Sequence, residues 1–301
     1  ITDDDTRKKV FKQREVEFPE GWEYLSRQIV TSKYLYGEQN TPEREKSAKD
    51  LIGRVSDTFK DWAIRQNYFD TAEEADKFRD ELAFLALSQR MAFNSPVWFN
   101  TGVHLRLNGK TRKIEQKHAY IIGPDGEPKM LPIGTEYEYP QTSACFIQKV
   151  DDTMESIMDL ARNEAMLFKY GSGTGTNLST LRSAKEKLTG GGKPSGPLAY
   201  WKFFDQVAGV VKSGGKTRRA AKMDILDVSH PDIMEFIRSK QREEEKAHIL
   251  MANGISSEEA SGTVAYQNTN ISVRVPDEFM EAYEKMGLWK TKPVHIKEMA
   301  D

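Results

Sequence analysis

Residues 144–150, Ala144-Cys145-Phe146-Ile147-Gln148-Lys149-Val150, predict a strand, and a helix is predicted to follow over residues 152–169. A second strand and helix are predicted at residues 223–228 and 233–240, and a further alternating strand at residues 268–275. Strands that alternate with helices are joined by crossover connections, which align successive strands in parallel. This part of the chain is therefore predicted to have an α/β fold.

The first part of the chain has a helical pattern. Apolar residues recur at helical spacing before residue 65, and Thr71-Ala72-Glu73-Glu74 has the composition of a helix-capping box. From Phe93 onward, a turn with a short strand is predicted around Asn94–Gly102, and hairpins are predicted over residues 104–140. We therefore predict two domains, residues 1–90 and residues 91–301.

Composition excludes several classes of protein. The chain of 301 residues has a formal charge of −2, which gives no overall attraction to nucleic acid or to an anionic membrane surface. No apolar run reaches the roughly 18–20 residues of a bilayer span. The single cysteine excludes a disulfide within the chain, and the histidines lack metal-site spacing. We expect a cytoplasmic protein without a metal site of its own, and no binding to nucleic acid or membrane.

Three segments have a composition that suits contact with phosphate groups. They are Gly171–Asn177, Gly190–Gly196 and the cationic segment 212–222. Glycines allow a ligand to approach the backbone closely, and hydroxyl and N–H groups can bind anionic oxygens. The first has G-x-G-x-G spacing, which differs from the dinucleotide fingerprint, and the second lacks the order of a P-loop. Any one of them alone is more simply a loop, but three within about fifty residues favour a nucleotide site.

Single residues leave alternatives open. Cys145 on a strand is by composition alone more simply a small buried residue than a reactive thiol. Asp152 and Lys169 lie at opposite ends of one predicted helix. An acid at the start and a base at the end would each interact favourably with the helix dipole, which alone would explain both residues.

Several phrases of this sequence together resemble the adenosylcobalamin-dependent, class II ribonucleotide reductases. The similarity runs from about residue 20 to residue 285. It rests on these phrases in this order: Asn94-Ser95-Pro96-Val97-Trp98-Phe99-Asn100, Ser143-Ala144-Cys145-Phe146, Gly171-Ser172-Gly173-Thr174-Gly175-Thr176-Asn177-Leu178-Ser179 and Ser213-Gly214-Gly215-Lys216-Thr217-Arg218-Arg219-Ala220-Ala221-Lys222-Met223, with residues 228–238 and 268–279.

The resemblance implies a helical N-terminal region followed by the first half of a ten-stranded α/β barrel. Cys145 matches the cysteine that, with a second cysteine across the barrel, supplies electrons to reduce the ribose 2′ carbon. The nucleotide substrate would be held largely through its phosphates. The positions that match its binding residues are Ser95, Ser143, Ala144, Gly173 and Gly175.

The resemblance also implies an allosteric site for a deoxynucleoside triphosphate effector. Asp152, Lys169 and Lys187 match the effector site, and homodimeric relatives pair the helices at 152–169 and 197–212 with their copies. A specificity loop relays the identity of the effector to the substrate base. Its residues here are Ser213, Gly214, Gly215, Lys216, Thr217, Arg218 and Arg219.

The single cysteine departs from the family pattern. The family also needs a radical cysteine, a second redox cysteine and a C-terminal cysteine pair, and Cys145 alone cannot supply them. We therefore expect a split reductase, in which a second chain carries the radical cysteine, the remaining strands and most contacts to adenosylcobalamin. A trimmed fragment is the other possibility.

Two alternative functions stay open from the sequence. One is a regulatory module that binds deoxynucleotides without catalysis, although retention of Cys145 favours an enzyme. The other is a fragment of a glycyl-radical enzyme with the same barrel, which the phrases above resemble less.

Overall fold

The computed structural model describes residues 11–106, 120–123, 125–130, 137–188, 190–211 and 220–295. The chain divides into two compact units, Ile1–Ala144 and Cys145–Asp301. The domain boundary after residue 90 stays a prediction. Among the described residues, none of the helices has the length and apolar character needed to cross a bilayer.

The first unit is mainly helical. Its elements are α1 (Tyr24–Ile29), a π-helical turn (Val30–Tyr34), α2 (Ala48–Arg65), α3 (Ala72–Leu87), α4 (Ser95–Asn100), α5 (Val103–Arg106), β1 (Tyr120–Ile122) and β2 (Pro128–Met130). The hydroxyls of Ser47 and Thr71 cap α2 and α3, accepting the backbone N–H groups of Asp50 at 2.9 Å and of Glu74 at 3.2 Å. The cap predicted at Thr71 is therefore confirmed, whereas the Glu74 side chain accepts the backbone N–H of Asp70 at 3.1 Å and not that of Thr71.

The core of this unit forms where α2 packs on α3 and α4. The buried residues are Leu35, Ala48, Leu51, Ile52, Val55, Ala86, Val97 and Trp98. The helical spacing of the α2 members places them on one face of that helix. This packing holds α4, which carries Ser95, against the helical core.

The turn and strand predicted around residues 94–102 are wrong, because Ser95–Asn100 forms helix α4. Pro96 lies in the first turn of the helix, where a proline is favoured, and residues 96–100 are all buried. A short apolar run does not distinguish a strand from a buried helical turn. The hairpin prediction is confirmed in part, since β1 and β2 pair antiparallel around Gly126, whose φ is +80°.

The second unit contains a four-stranded parallel sheet in the order β3-β4-β5-β6. Its elements are β3 (Cys145–Gln148), α6 (Met154–Lys169), β4 (Gly173–Asn177), α7 (Gly196–Val210), β5 (Lys222–Asp227), α8 (Ile233–Ala252), α9 (Ser257–Gly262), β6 (Thr269–Arg274) and α10 (Asp277–Glu284). The predicted alternation of strands and helices is confirmed.

Helices α6, α7 and α8 cover one face of this sheet. The core between them contains Leu160, Trp201, Phe204, Leu226 and Phe236, and Trp201 stacks on Tyr266 with 3.8 Å between ring centroids. Successive side chains of a strand point to opposite faces, so the other face of each strand points away from these helices. Ile147 on that second face is 96% exposed.

One local prediction differs from the structure. Gly173–Asn177 is strand β4, whereas a loop was predicted, because parallel pairing with β3 and β5 outweighs the low strand propensity of glycine. Asp232, the residue before α8, has no side-chain hydrogen bond that caps the helix. Its carboxylate instead accepts hydrogen bonds from the hydroxyl of Ser183 at 2.8 Å and the backbone N–H of Ala184 at 3.0 Å.

Candidate functional site

Cys145 is an exposed thiol at the start of strand β3. It pairs in register with Gly173 of β4, and Ile147 on the same face pairs with Gly175. We call the face of the sheet that carries Cys145, Ile147, Gly173 and Gly175 the open face. The alternative of a small buried cysteine is therefore wrong, and the thiol is accessible for chemistry.

Gly175 of β4 leaves space on the open face that carries the thiol. A Cβ atom added at Gly175 would meet nothing nearer than Met223, 4.0 Å away. The packing of the described residues therefore does not require glycine at this position. A ligand that approaches the strand closely would require it, because it needs the space that a side chain would fill.

Ser95 lies in the first unit, at the start of α4. Its hydroxyl is 3.0 Å from the hydroxyl of Tyr34, which lies at the end of the π-helical turn. The ring of Tyr34 packs against Phe99 with 5.2 Å between centroids. Tyr34 therefore fixes the orientation of the Ser95 hydroxyl.

Ser143 and Ala144 directly precede Cys145 in the chain. Gln141 folds back on Ser143: its amide donates to the carbonyl oxygen of Ser143 at 3.0 Å, and its side-chain oxygen accepts the N–H of Ser143. The carbonyl oxygen of Gln141 accepts a hydrogen bond from Asn100 at 2.7 Å, so the segment is tied to the end of α4. Ser143 itself is exposed.

Asp152 lies just before α6 and is part of a charged cluster. One oxygen of its carboxylate accepts a hydrogen bond from Arg182 and lies 2.9 Å from Nε2 of His295. The Asp152 side chain is 13% exposed, and that of His295 is 44% exposed. A carboxylate, a guanidinium and an imidazole thus meet at one end of α6.

Glu186 positions His295 in this cluster. Its buried carboxylate accepts the backbone N–H groups of Ser183 at 2.9 Å, and of Val294 and His295 at 3.1 Å each. Burial opposes ionisation of Glu186, but these three donors outweigh it and hold its pKa below the ordinary value. The ionised carboxylate therefore fixes residues 294 and 295 beside the segment that carries Arg182.

Lys169 and Lys187 do not join Asp152. Lys169 ends α6, and its ammonium lies 5.1 Å from the centroid of the Tyr170 ring. The sixteen-residue helix separates it from Asp152 by about 24 Å at 1.5 Å per residue. Lys187 is exposed in the segment after Arg182. The predicted specificity-loop residues, Ser213 to Arg219, lie outside the described residues.

The structure adds Tyr34, Arg182 and His295 to the residues named from the sequence. Tyr34 belongs to a π-helical turn, which no simple periodicity indicates. His295 is 143 positions from Asp152, and nothing in the local sequence indicates their contact. Arg182 comes shortly after the glycine-rich segment in the sequence. A search for basic residues beside that segment would have found it.

No residue of this chain is assigned to a cofactor. Within the described ranges, no group of three or more His, Cys, Asp or Glu side chains could hold a metal ion. The second unit therefore offers a thiol beside two glycines on the open face and, separately, an acid–base cluster at one end of α6. In the first unit, the Ser95 hydroxyl is held by Tyr34.

Comparison with known proteins places these features in a family. Residues 1–89 match the family described as class II vitamin B12-dependent ribonucleotide reductase, and residues 143–300 match the ribonucleotide reductase barrel domain. The solved class Id ribonucleotide reductase alpha subunit of Actinobacillus ureae is similar over 87% of this chain and 35% of its own, with 15% identity and a TM-score of 0.49.

Relatives of known name are much longer than this chain. A vitamin B12-dependent ribonucleotide reductase of Rhodopirellula baltica is 50% identical over 293 residues, which are 96% of this chain and 28% of that protein. One from Streptomyces coelicolor is 45% identical over 280 residues, 92% of this chain and 26% of that protein. The chain thus spans about a quarter of their length and matches an N-terminal portion, including part of an α/β barrel. It belongs to the class II, vitamin B12-dependent ribonucleotide reductase family.

Proposed function

We propose that this chain forms the N-terminal part of a reductase that converts ribonucleotides to deoxyribonucleotides. The observation that carries the proposal is the exposed thiol of Cys145, paired in register with Gly173 on the open face. Membership of the family supports it. The substrate would lie across β3 and β4, with Ser95, Ser143, Ala144 and the backbone at Gly173 and Gly175 as its contacts.

Cys145 would act as one of two reductants. The thiols of Cys145 and a second cysteine together give two electrons and two protons. The 2′ carbon loses its hydroxyl group as water and gains hydrogen, and the two sulfur atoms form a disulfide. Since the chain contains a single cysteine, the second must come from sequence outside these 301 residues.

Adenosylcobalamin is the proposed cofactor, since the matched family depends on vitamin B12. When bound, it supplies the radical that starts the reaction. Its site is proposed to lie mostly in the part of the reductase outside these residues, together with the cysteine that carries the radical. Within this chain, the role of the open face is to hold the substrate against the Cys145 thiol.

The remaining strands are proposed to come from a second chain that carries the C-terminal half. β3 and β6 are the outer strands of the described sheet. Each has an edge whose backbone N–H and C=O groups could pair with a further strand. The same strands could follow in one longer polypeptide, and mass spectrometry of the native protein distinguishes the two. A cytoplasmic location is proposed because Cys145 must be available as a thiol.

Asp152, Lys169, Lys187 and the loop from Ser213 to Arg219 are the proposed effector and specificity residues. Asp152 and Lys169 lie at opposite ends of α6, which supports a homodimer in which α6 and α7 pack against their copies. In an antiparallel arrangement, the Asp152 end of one helix would lie beside the Lys169 end of the other. A deoxynucleoside triphosphate could then contact both ends at once.

A regulatory module without catalysis is the second candidate. The cluster of Asp152, Arg182 and His295 supports it, because all three residues belong to this chain and these contacts do not involve Cys145. Such a module would bind deoxynucleotides but would give no turnover in any assembly.

Replacing Gly175 with alanine tests the proposed substrate site. The added methyl group fits within the chain, with Met223 at 4.0 Å as its nearest neighbour, so we expect the melting temperature to stay within about 2 °C. The methyl group would fill the space on the open face that the substrate needs. Steady-state kinetics of the complete reductase should therefore show KM raised by about tenfold or more, a loss of about 1.4 kcal/mol in binding.

Gly53→Ala is the matched control. Gly53 lies within α2, where a Cβ atom would meet only an Asp57 oxygen at 3.8 Å, so alanine should leave KM unchanged and stabilise the helix slightly. Suppose that the complete wild-type protein reduces ribonucleotides and that the Gly175→Ala and Gly53→Ala variants have the same KM. The substrate then does not lie on β4. If the wild-type assembly reduces no ribonucleotide with the cofactor present, the proposed function is wrong.

A further inference from the structure

A cluster of three ionisable side chains is buried between the sheet and α6. The ammonium of Lys222, the first residue of β5, contacts Glu164 of α6 and lies 3.1 Å from Oδ1 of Asp224. All three side chains have 0% exposure. The ammonium also lies 5.1 Å from the centroid of the Phe204 ring on α7. This cluster takes no part in the site described above.

Glu164 also binds strand β4. Its Oε1 atom accepts the hydroxyl of Thr174 at 3.1 Å and lies 3.5 Å from that of Thr176. Its other oxygen, Oε2, has no hydrogen-bond partner among the described residues. One carboxylate in the middle of α6 therefore joins that helix to both β4 and β5.

Strand β4 has two distinct faces as a result. Side chains alternate along a strand, so Thr174 and Thr176 point to Glu164 while Gly173 and Gly175 belong to the open face. A shift of α6 that moves Glu164 would move the threonines. Because the glycines are bonded to them in the same backbone, their positions beside Cys145 would change as well.

Packing stability alone does not explain this cluster. A buried ion pair must overcome the desolvation of both charges, and apolar residues of similar size are often equally stable. Burial also raises the pKa of Asp224 to about 7, against the attraction of Lys222 and with the repulsion of Glu164. A protonated Asp224 leaves Lys222 and Glu164 as one pair of opposite charges that links β5 to α6.

We propose that Lys222 is a positioning residue that couples helix α6 to strand β4 through Glu164. The inference rests on the proposed function, in which the ends of α6 hold the effector and the glycines of β4 hold the substrate. Effector binding at α6 would be transmitted through Glu164 to Thr174 and Thr176, and from them to the open face. This link uses only described residues, and Lys222 lies three positions after Arg219, the last residue of the predicted specificity loop.

Lys222→Met in the complete reductase tests the coupling. Methionine keeps the length and apolar stem of the side chain but removes its charge. Allosteric coupling typically changes the affinity for the coupled ligand by roughly 5–150-fold, and we expect the effect of the effector on substrate affinity to fall to within about twofold in the variant. Binding of the deoxynucleoside triphosphate, followed by calorimetry, should change by less than about threefold, because Lys222 does not contact it.

Two further variants separate coupling from damage to the fold. Lys285→Met removes a lysine that directly follows α10, with a side chain 76% exposed, and should retain the full effector response. The double variant Glu164→Gln/Lys222→Met leaves no unpaired charge at either position. Its melting temperature should therefore be higher than that of Lys222→Met, while the effector response stays lost. If the double variant regains the response together with its stability, the cluster is structural only and the proposal is overturned.

A normal effector response in Lys222→Met at normal stability would also overturn it. These outcomes are distinguishable from failure of the proposed function, because each is measured against a wild-type assembly that reduces ribonucleotides. If that assembly is inactive, the proposed function fails before the coupling is measured.

Discussion

Replacing Cys145 with serine is expected to lower deoxynucleotide formation by on the order of a thousandfold or more in the complete reductase. Serine preserves the size of the side chain, but its hydroxyl cannot form the disulfide that balances reduction of the 2′ carbon. The thiol is exposed on the open face, so the substitution should leave the fold unchanged. Turnover is measured as deoxynucleotide produced per enzyme with an external thiol reductant present.

Binding of a deoxynucleoside triphosphate to the same variant is the internal control. Its dissociation constant should remain that of the wild type, because Asp152, Arg182 and His295 are untouched. Wild-type turnover in Cys145→Ser would contradict the role of the thiol. An assembly that binds the effector but never turns over, even with Cys145 present, would support the regulatory module instead.

Arg54→Met is expected to destabilise the first unit by about 3–5 kcal/mol, since it leaves a buried carboxylate unpaired. Arg54 lies 2.7 Å from Glu45, and the two side chains are 1% and 0% exposed. The guanidinium also donates to the carbonyl oxygens of Trp98 at 3.1 Å and of Thr101, at the end of α4. Urea unfolding followed by tryptophan fluorescence measures the loss, with Trp98 as a local reporter.

Arg65→Met is the matched control for this substitution. Arg65 is also on α2 and lies 2.7 Å from Asp61, but the two side chains are 61% and 45% exposed, so we expect a loss below about 1 kcal/mol. Glu45→Gln/Arg54→Met should recover part of the stability, because it removes the unpaired charge. Equal urea midpoints for Arg54→Met and Arg65→Met would show that the buried pair does not hold the unit together.

Local patterns predicted much of the fold. The apolar spacing of α2 and the helix cap at Thr71 lie within single helices, so the sequence alone indicates them. The strand predicted over residues 223–228 is observed as β5, Lys222–Asp227, because its apolar run is bounded clearly. The helix predicted over residues 152–169 is observed as α6, Met154–Lys169.

Features that depend on distant partners were not predictable in this way. Gly173–Asn177 is a strand only because β3 and β5 flank it, and residues 95–100 are helical because that run is buried in the first unit. The phrases around Cys145 selected the thiol as a candidate site residue, and its role stays a prediction. They could not show that His295 meets Asp152, or that Lys222 meets Glu164 across 58 positions.

The open face has a consequence for synthesis of the protein. Until the rest of the barrel is present, on a second chain or further along the same polypeptide, Ile147 and the outer strands β3 and β6 of the described sheet stay uncovered. During that interval we expect neighbouring nascent chains to associate through these strands. Rapid delivery of the rest of the barrel, or retention by a chaperone, would then set the yield of soluble enzyme.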